Sequence, residues 1–450
     1  MDAERIRSLE PRLRSYLKQF DDCFGRSEPR GHLGVVVRGQ LSDLPRKNAE
    51  PMADAAGVPA RTLQQFFSLL KWDHGRMRDT LQKRVAAAYA DADSIGLIDE
   101  TSCAKKGDKS PGVQRQWCGS SGKKDNCVVT VHLGYAAGDF HCLVDTELFL
   151  PESWSADRTR CREASVPDSV VHRPKTDIAL ELHARAAANG LAFGWLTFDE
   201  GYGKSVRFLE ELRKRKQKFV AEVPVTFRGW IHAPAVTSER RGQTGRKPAK
   251  PRPASGSAPF RSVREHLAES PELRDQPWEV WHVRDGAKGP MVWEAKRVRF
   301  YPNGEDGVPL EPVHLVAARN PREPETVKFF VAHAPAETPL GVLLFVAFSR
   351  WRVERCFEDE KTELGFDHFE GRSYVGLMRH QTVAMVTHLF LAEVCRDGRG
   401  EKPGADRLPG ADGRRRPGAV VVAGKDGRRK AFGTGRSRHP ENAGPQRQVA

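Results

Sequence analysis

Long apolar runs are missing from this chain. No stretch approaches the ~18 to 20 consecutive apolar residues that a bilayer-spanning helix needs. The first residues, MDAERIRSLEPRL, are charged throughout and lack the apolar core of a signal peptide. The expectation is a cytoplasmic protein with no membrane partner. Zinc-type spacing is missing as well. Eight cysteines, at 23, 103, 118, 127, 142, 161, 356 and 395, form no CxxC or Cys/His pair. That argues against a zinc cage or a disulfide framework and leaves scattered reduced thiols. No internal repeat is present, so solenoid architectures drop out.

What is present is polarity and positive charge. An apolar fraction of 39% with a mean hydropathy of −0.57 describes a soluble, polar-surfaced chain long enough for two or three domains. The net charge of +14 points to a polyanionic partner, most simply nucleic acid. Much of that charge is concentrated at one end. Residues 396–450 carry fourteen Lys or Arg against six Asp or Glu, a surplus of eight that leaves +6 for the rest. This terminal stretch, rich in Gly, Pro and Arg, reads as a disordered basic tail. Its abrupt change of composition also fits a frameshifted or read-through end.

Residues 1–90 read as helical. Ile6, Leu9, Leu13 and Leu17 keep helical spacing, as do Leu63, Phe66, Phe67 and Leu70. Within them AGVPARTLQQFFSLL has the shape of a helix-turn-helix, with Gly57 at the turn and Pro59 opening the second helix. A DNA-reading unit and a plain helical bundle both fit it.

From residue 93 the period changes. SIGLIDE (94–100) predicts a buried strand ending at Asp99. NCVVTVHLGYAA and FHCLVDTELFLP alternate around Gly138-Asp139 and predict a hairpin, giving three antiparallel strands. TDIALELHARAAANG predicts a helix with a Thr cap and a Gly stop. LAFGWLTFDEG then predicts a buried strand closing on Asp199, followed by a helix near 204–216 and a strand over 218–224. Residues 225–325 read as an inserted β-rich subdomain with an exposed basic loop over 238–259. Residues 326–395 complete the core begun at 91–224, with one helix over 339–365 and a second, strongly apolar one over 374–394.

The stretch RWRVERCFEDEKTELGFD (350–367) draws the acids together. At about 100° per residue, Arg350, Glu354 and Lys361 share a narrow stripe. Val353, Phe357 and Leu364 form an adjacent stripe suited to a core. Glu354 is thus an acid between two cations at the edge of a buried face, with Glu358 the runner-up a further ~40° round. Two strand-end acids and one helix acid would gather hard carboxylate oxygens of the kind that bind Mg²⁺ or Mn²⁺. Two such ions about 3.5–4 Å apart suit an in-line displacement at phosphorus.

Three segments carry a family resemblance: LIDETSCAKKG, LTFDEGYG and RWRVERCFEDEKTELG. They resemble insertion-sequence transposases of the DDE type, over roughly residues 90–395. In the last segment Arg350, Glu354 and Lys361 fit the Tyr-Arg-Glu-Lys signature, spaced Y-x2-R-x3-E-x6-K; Ala347 stands where that pattern has tyrosine. QRQWCGSSGKKDNC (114–127) and LPESW (150–154) add to the likeness. The resemblance implies an α/β, ribonuclease-H-like mixed sheet flanked by helices. It implies that Asp99, Asp199 and Glu354 bind divalent ions, two of them, and catalyse cleavage at transposon ends. The freed 3′-OH is then joined to target DNA. The implied partners are double-stranded DNA, both terminal inverted repeats and target, and a second copy of the chain in a synaptic homodimer; on DNA the chain would sit in the bacterial nucleoid. Arg350 and Lys361 would contact phosphates. Trp351 either stacks on a displaced base or fills the core, and Tyr202 is a further candidate DNA contact. An inactive DNA-binding relative and a nuclease without strand transfer are the alternatives.

Overall fold

The computed structural model describes residues 3–238, 250–286 and 289–399. Five helices, Ala3–Lys18, Ser27–Leu41, Ala49–Ala55, Ala60–Ser68 and His74–Tyr89, occupy the N-terminal segment. Their apolar stripes do what the spacing requires: Leu13, Leu63, Phe66 and Phe67 are buried. Strands follow in the order β1 (Ile95–Ala104), β2 (Gln114–Cys118), β3 (Lys123–Ala137), β4 (Phe140–Leu148), β5 (Trp195–Phe198) and β6 (Phe219–Val223). Then come β7 (Arg228–Trp230), β8 (Val236–Thr237), β9 (Arg252–Pro253), β10 (Arg261–Ser262), β11 (Glu279–Gly286), β12 (Gly289–Pro302), β13 (Val313–Asn320) and β14 (Glu323–His333).

The heart of the sheet runs β4-β3-β1-β5-β6. β4, β3 and β1 are antiparallel, whereas β5 and β6 run parallel to β1. The parallel connections pass through helices, Lys175–Ala188 between β4 and β5 and Val206–Lys214 between β5 and β6, as parallel pairing demands. This mixed order is the ribonuclease-H-like arrangement. The helix Lys175–Ala188 opens one residue ahead of the expected Thr176 cap, directly after Pro174.

The sheet does not stop at β6. β14 pairs antiparallel with β6, β13 with β14, and β12 with β13, so strands from 289–333 prolong the same sheet. β8 and β9 form a separate two-stranded ribbon. Residues 239–249 of the expected basic loop lie outside the described residues, as do residues 400–450 of the tail.

Two further features differ from expectation. β1 continues five residues past Asp99, because Thr101, Ser102 and Cys103 remain buried beneath the following helical layer. The helix expected over 339–365 is two helices, Leu340–Phe348 and Trp351–Leu364. The break falls at Ser349, whose hydroxyl donates back to the Phe345 carbonyl at 2.7 Å and competes with the helical ladder. The last helix, Tyr374–Arg399, is buried along most of its length and packs on β4 and on the N-terminal helices. Tyr16, for example, donates its hydroxyl to the Val386 carbonyl at 2.7 Å. Among the described residues no helix is long and apolar enough to cross a membrane.

Candidate active site

β1 and β5 place the two aspartates side by side. Ile98 pairs with Phe198 in the parallel register, and Asp99 and Asp199 are the next residues on each strand. Asp199 ends its strand and caps the short helix Glu200–Gly203, accepting the backbone N–H groups of Gly201 (3.0 Å) and Tyr202 (3.3 Å). That turn is pressed tightly on β6. A Cβ on Gly203 would lie 1.9 Å from the Glu222 carbonyl oxygen, so only glycine fits there. Asp99 accepts its neighbour's backbone N–H, from Glu100, at 2.8 Å.

The helix Trp351–Leu364 lies across this face of the sheet. Val353, Phe357 and Leu364 are buried beneath it. Arg350, at its N-terminus, bridges two acids: its guanidinium reaches Asp99 at 3.0 Å and Glu354 at 2.9 Å. One turn before the helix ends, the Lys361 ammonium donates to the Ser102 carbonyl at 3.2 Å. Glu354 itself is exposed, with 58% of its side-chain surface accessible. The rival acids turn elsewhere. Glu358 and Asp359 pair with Arg355, and Glu360 is wholly buried against His388 at 3.2 Å.

Asp99 is mostly buried, and burial pushes its carboxyl up to about 7 against the pull of Arg350. Repulsion from Asp199 adds to the rise. The donor set fits a divalent cation by its chemistry: hard carboxylate oxygens, two of them on neighbouring strands. No group of three ligating side chains is already drawn together among the described residues. Asp99 and Asp199 are the preformed pair, and Glu354 is held beside them through Arg350.

The remaining candidates are placed differently. Tyr202 is 2% exposed, packed on Phe198 and Phe208, with its hydroxyl directed at Glu100 (3.5 Å). The structure gives it a place in the wall of the site and no surface for DNA. Trp351 is half-buried, its ring under the Arg284 guanidinium at 4.1 Å and near His141. Two residues that sequence reasoning passed over stand beside the aspartates: Glu100 forms an ion pair with Lys175. The doubled acid in LIDE was a signal for Glu100; nothing local marked Lys175, which comes from a helix 75 residues on.

The sheet topology defines the class, a ribonuclease-H-like α/β protein. Comparison with known families narrows it: the model described as DDE superfamily endonuclease matches residues 19–290, more than half of the chain, and the chain belongs to that family. Asp99 and Asp199 lie within the matched stretch, and Glu354 lies beyond it. The chain is also similar to a probable transposase for insertion sequence element IS701 from Microchaete diplosiphon, 29% identical over 181 residues. That stretch covers 39% of this chain and 44% of the relative, so less than half of the relative's length is matched.

Proposed function

We propose that the chain is a DNA transposase that cuts the ends of its element by metal-dependent phosphodiester hydrolysis and joins the freed 3′-OH to target DNA. The observation that carries this reading is that Asp99 and Asp199 follow the paired Ile98 and Phe198 on neighbouring strands, with Arg350 tying Asp99 to Glu354. Asp99 and Asp199 would hold Mg²⁺ or Mn²⁺, with Glu354 completing the set. Such an ion, when bound, supplies positive charge that activates the attacking oxygen and stabilises the leaving one. Arg350 is already desolvated at this spot, so its guanidinium is positioned to pass from carboxylate to phosphate and fix the scissile group. Lys361, further along the same face, would hold the adjoining phosphate. Two ends must be cut together in such a reaction, and a homodimer on DNA is part of this reading.

The test is cleavage of labelled duplex carrying the element's own ends, in Mg²⁺ or Mn²⁺. Nicking should vanish in Glu354→Gln and persist in Glu358→Gln; the reverse result would move the third acid one turn along. One observation favours a second reading: the Arg350 ion pair leaves Asp99 partly neutralised, as a DNA-binding relative without catalysis would have it. A wild type that binds the ends and never cuts would select that reading.

A further inference from the structure

The hairpin of β2 and β3, which carries the QRQWCGSSGKKDNC stretch, has a face left exposed among the described residues. Trp117 is 62% exposed on it, an unusual condition for the most costly aromatic to leave in water. Arg115 sits two residues away on the same side of β2 and is exposed. Across the pair, Trp117 stands opposite Lys124, which is exposed, whereas Lys123 stands opposite Cys118 and points to the other side. Among the described residues no ion pair or side-chain hydrogen bond ties down Arg115, Lys123 or Lys124. β2 is also an edge strand, so this surface is open at the side.

Register ties this face to the aspartates. Directly opposed residues of an antiparallel pair point to the same side. Asp99 stands opposite His132 on β3, and His132, Asn126 and Lys124 are separated by even steps. Asp99, Lys124, Arg115 and Trp117 therefore share one side of the sheet. The distance follows from strand rise: six to eight residues of β3 separate His132 from Asn126 and Lys124, about 20–26 Å. Lys361 and the Lys105 ammonium, which donates to the Asp367 carbonyl at 3.0 Å, lie between the two places. A line of cations thus runs from the acids to the hairpin tip.

We propose that this hairpin is a DNA-binding arm: Arg115 and Lys124 hold backbone phosphates of the flanking duplex, and Trp117 sets its ring against a base step there. At about 3.4 Å per base pair the arm meets the duplex roughly six to eight base pairs from the reacting phosphodiester. Cations alone would bind without register; an aromatic among them adds a stacking contact at one fixed distance from the cut. The placement relative to the cut rests on the nuclease reading above, whereas the contact itself does not.

The full chain is titrated against a 40-base-pair duplex carrying the element's terminal sequence, by fluorescence anisotropy at several salt concentrations. Trp117→Ala should weaken binding roughly tenfold. Arg115→Ala with Lys124→Ala should reduce the slope of log affinity against log salt by about 2. Hydroxyl-radical protection should be lost in both variants six to eight base pairs from the nick made by the wild type. Trp117, Arg115 and Lys124 are exposed, so circular dichroism should show the fold intact. Unchanged affinity and salt slope in both variants, or no DNA binding by the wild type, overturns the arm. Protection lost at a different distance from the nick overturns the shared-face placement. Absence of any nicking that depends on Asp99 would count against the nuclease reading alone, because the anisotropy still decides whether the arm binds.

Discussion

Two strand aspartates in this sheet live in opposite conditions. Asp145 on β4 is completely buried and saturated: Arg185 grips it with two bonds of 2.8 and 3.0 Å, Gln82 donates at 3.0 Å, Arg78 approaches to 3.6 Å, and the Thr146 N–H adds 2.8 Å. Asp99 on β1 is nearly as enclosed but has one arginine, one backbone N–H and another aspartate beside it. The first is a carboxylate whose lone pairs are used up by the protein. The second has fewer partners, and its arginine is shared with the exposed Glu354. Burial alone does not separate a structural acid from a reactive one; the completeness of its partners does.

Replacement of each acid breaks the contrast most directly. Asp99→Asn is expected to lower metal-dependent nicking by at least about a thousandfold, the scale on which a single electrostatic catalytic group acts. Its urea midpoint should be unchanged or raised, since the carboxylate is held there against a burial cost. Asp145→Ala should do the reverse. It strands two arginines in the interior, and removal of one partner from a buried ion pair costs about 3–5 kcal/mol. Urea denaturation of both variants, beside the nicking assay, checks the pair of outcomes. Equal destabilisation by the two substitutions would make Asp99 another structural acid.

A gentler test uses the arginine that the two sites handle differently. Arg350→Lys keeps the charge and loses the fork that spans Asp99 and Glu354. Nicking should fall by roughly tenfold to a hundredfold, the loss a slightly misplaced group produces. Arg185→Lys, which disturbs the saturated site, should lower stability and leave the metal dependence of nicking unaltered. Titration of Mg²⁺ in both variants distinguishes them.

Much of the candidate site's geometry was legible in the sequence. The acids follow short apolar runs in β1 and β5, and the 3.6-residue period alone put Arg350 and Glu354 on one stripe and Val353, Phe357 and Leu364 on the next. Those are local signals. What was not legible depended on partners distant in the chain. Nothing near Tyr202 says that its ring packs on Phe198 and Phe208. Nothing in 279–333 says that β12, β13 and β14 join onto β6, because strand pairing is decided by the partner. The continuation of β1 through Thr101 and Ser102 breaks the apolar pattern and is buried through its pairing with β3 and contacts from elements distant in the chain. Asp145 was equally invisible as a structural acid, since its arginines come from two separate helices.

The smallest expected effect concerns the far end of the Glu354 helix. That helix stops at Gly365, whose φ of +68° is natural only for glycine. His380, buried in the long last helix, holds the stop in place, with Nε2 3.1 Å from the Gly365 carbonyl and 3.2 Å from that of Phe366. Burial pushes His380 down to about 4, and Lys105 and His368 push it the same way, while the two carbonyls resist. The sign follows from which state takes the proton. Above pH 6.5 the ring is neutral folded or unfolded, and it contributes no pH dependence. Below 6.5 the unfolded chain gains a proton that the folded chain refuses until about pH 4, so stability falls as pH falls through that window. At pH 5 the cost is about 2 kcal/mol, 1.5 pH units at 1.36 kcal/mol each. His380→Gln keeps a donor for the carbonyls and has nothing to titrate. Its urea-derived stability should therefore decline less than the wild type's between pH 7 and pH 5, by about that amount. An identical decline in both proteins would mean that the helix stop is held by Gly365 and the Lys47 contacts to the Glu363 and Gln40 carbonyls alone.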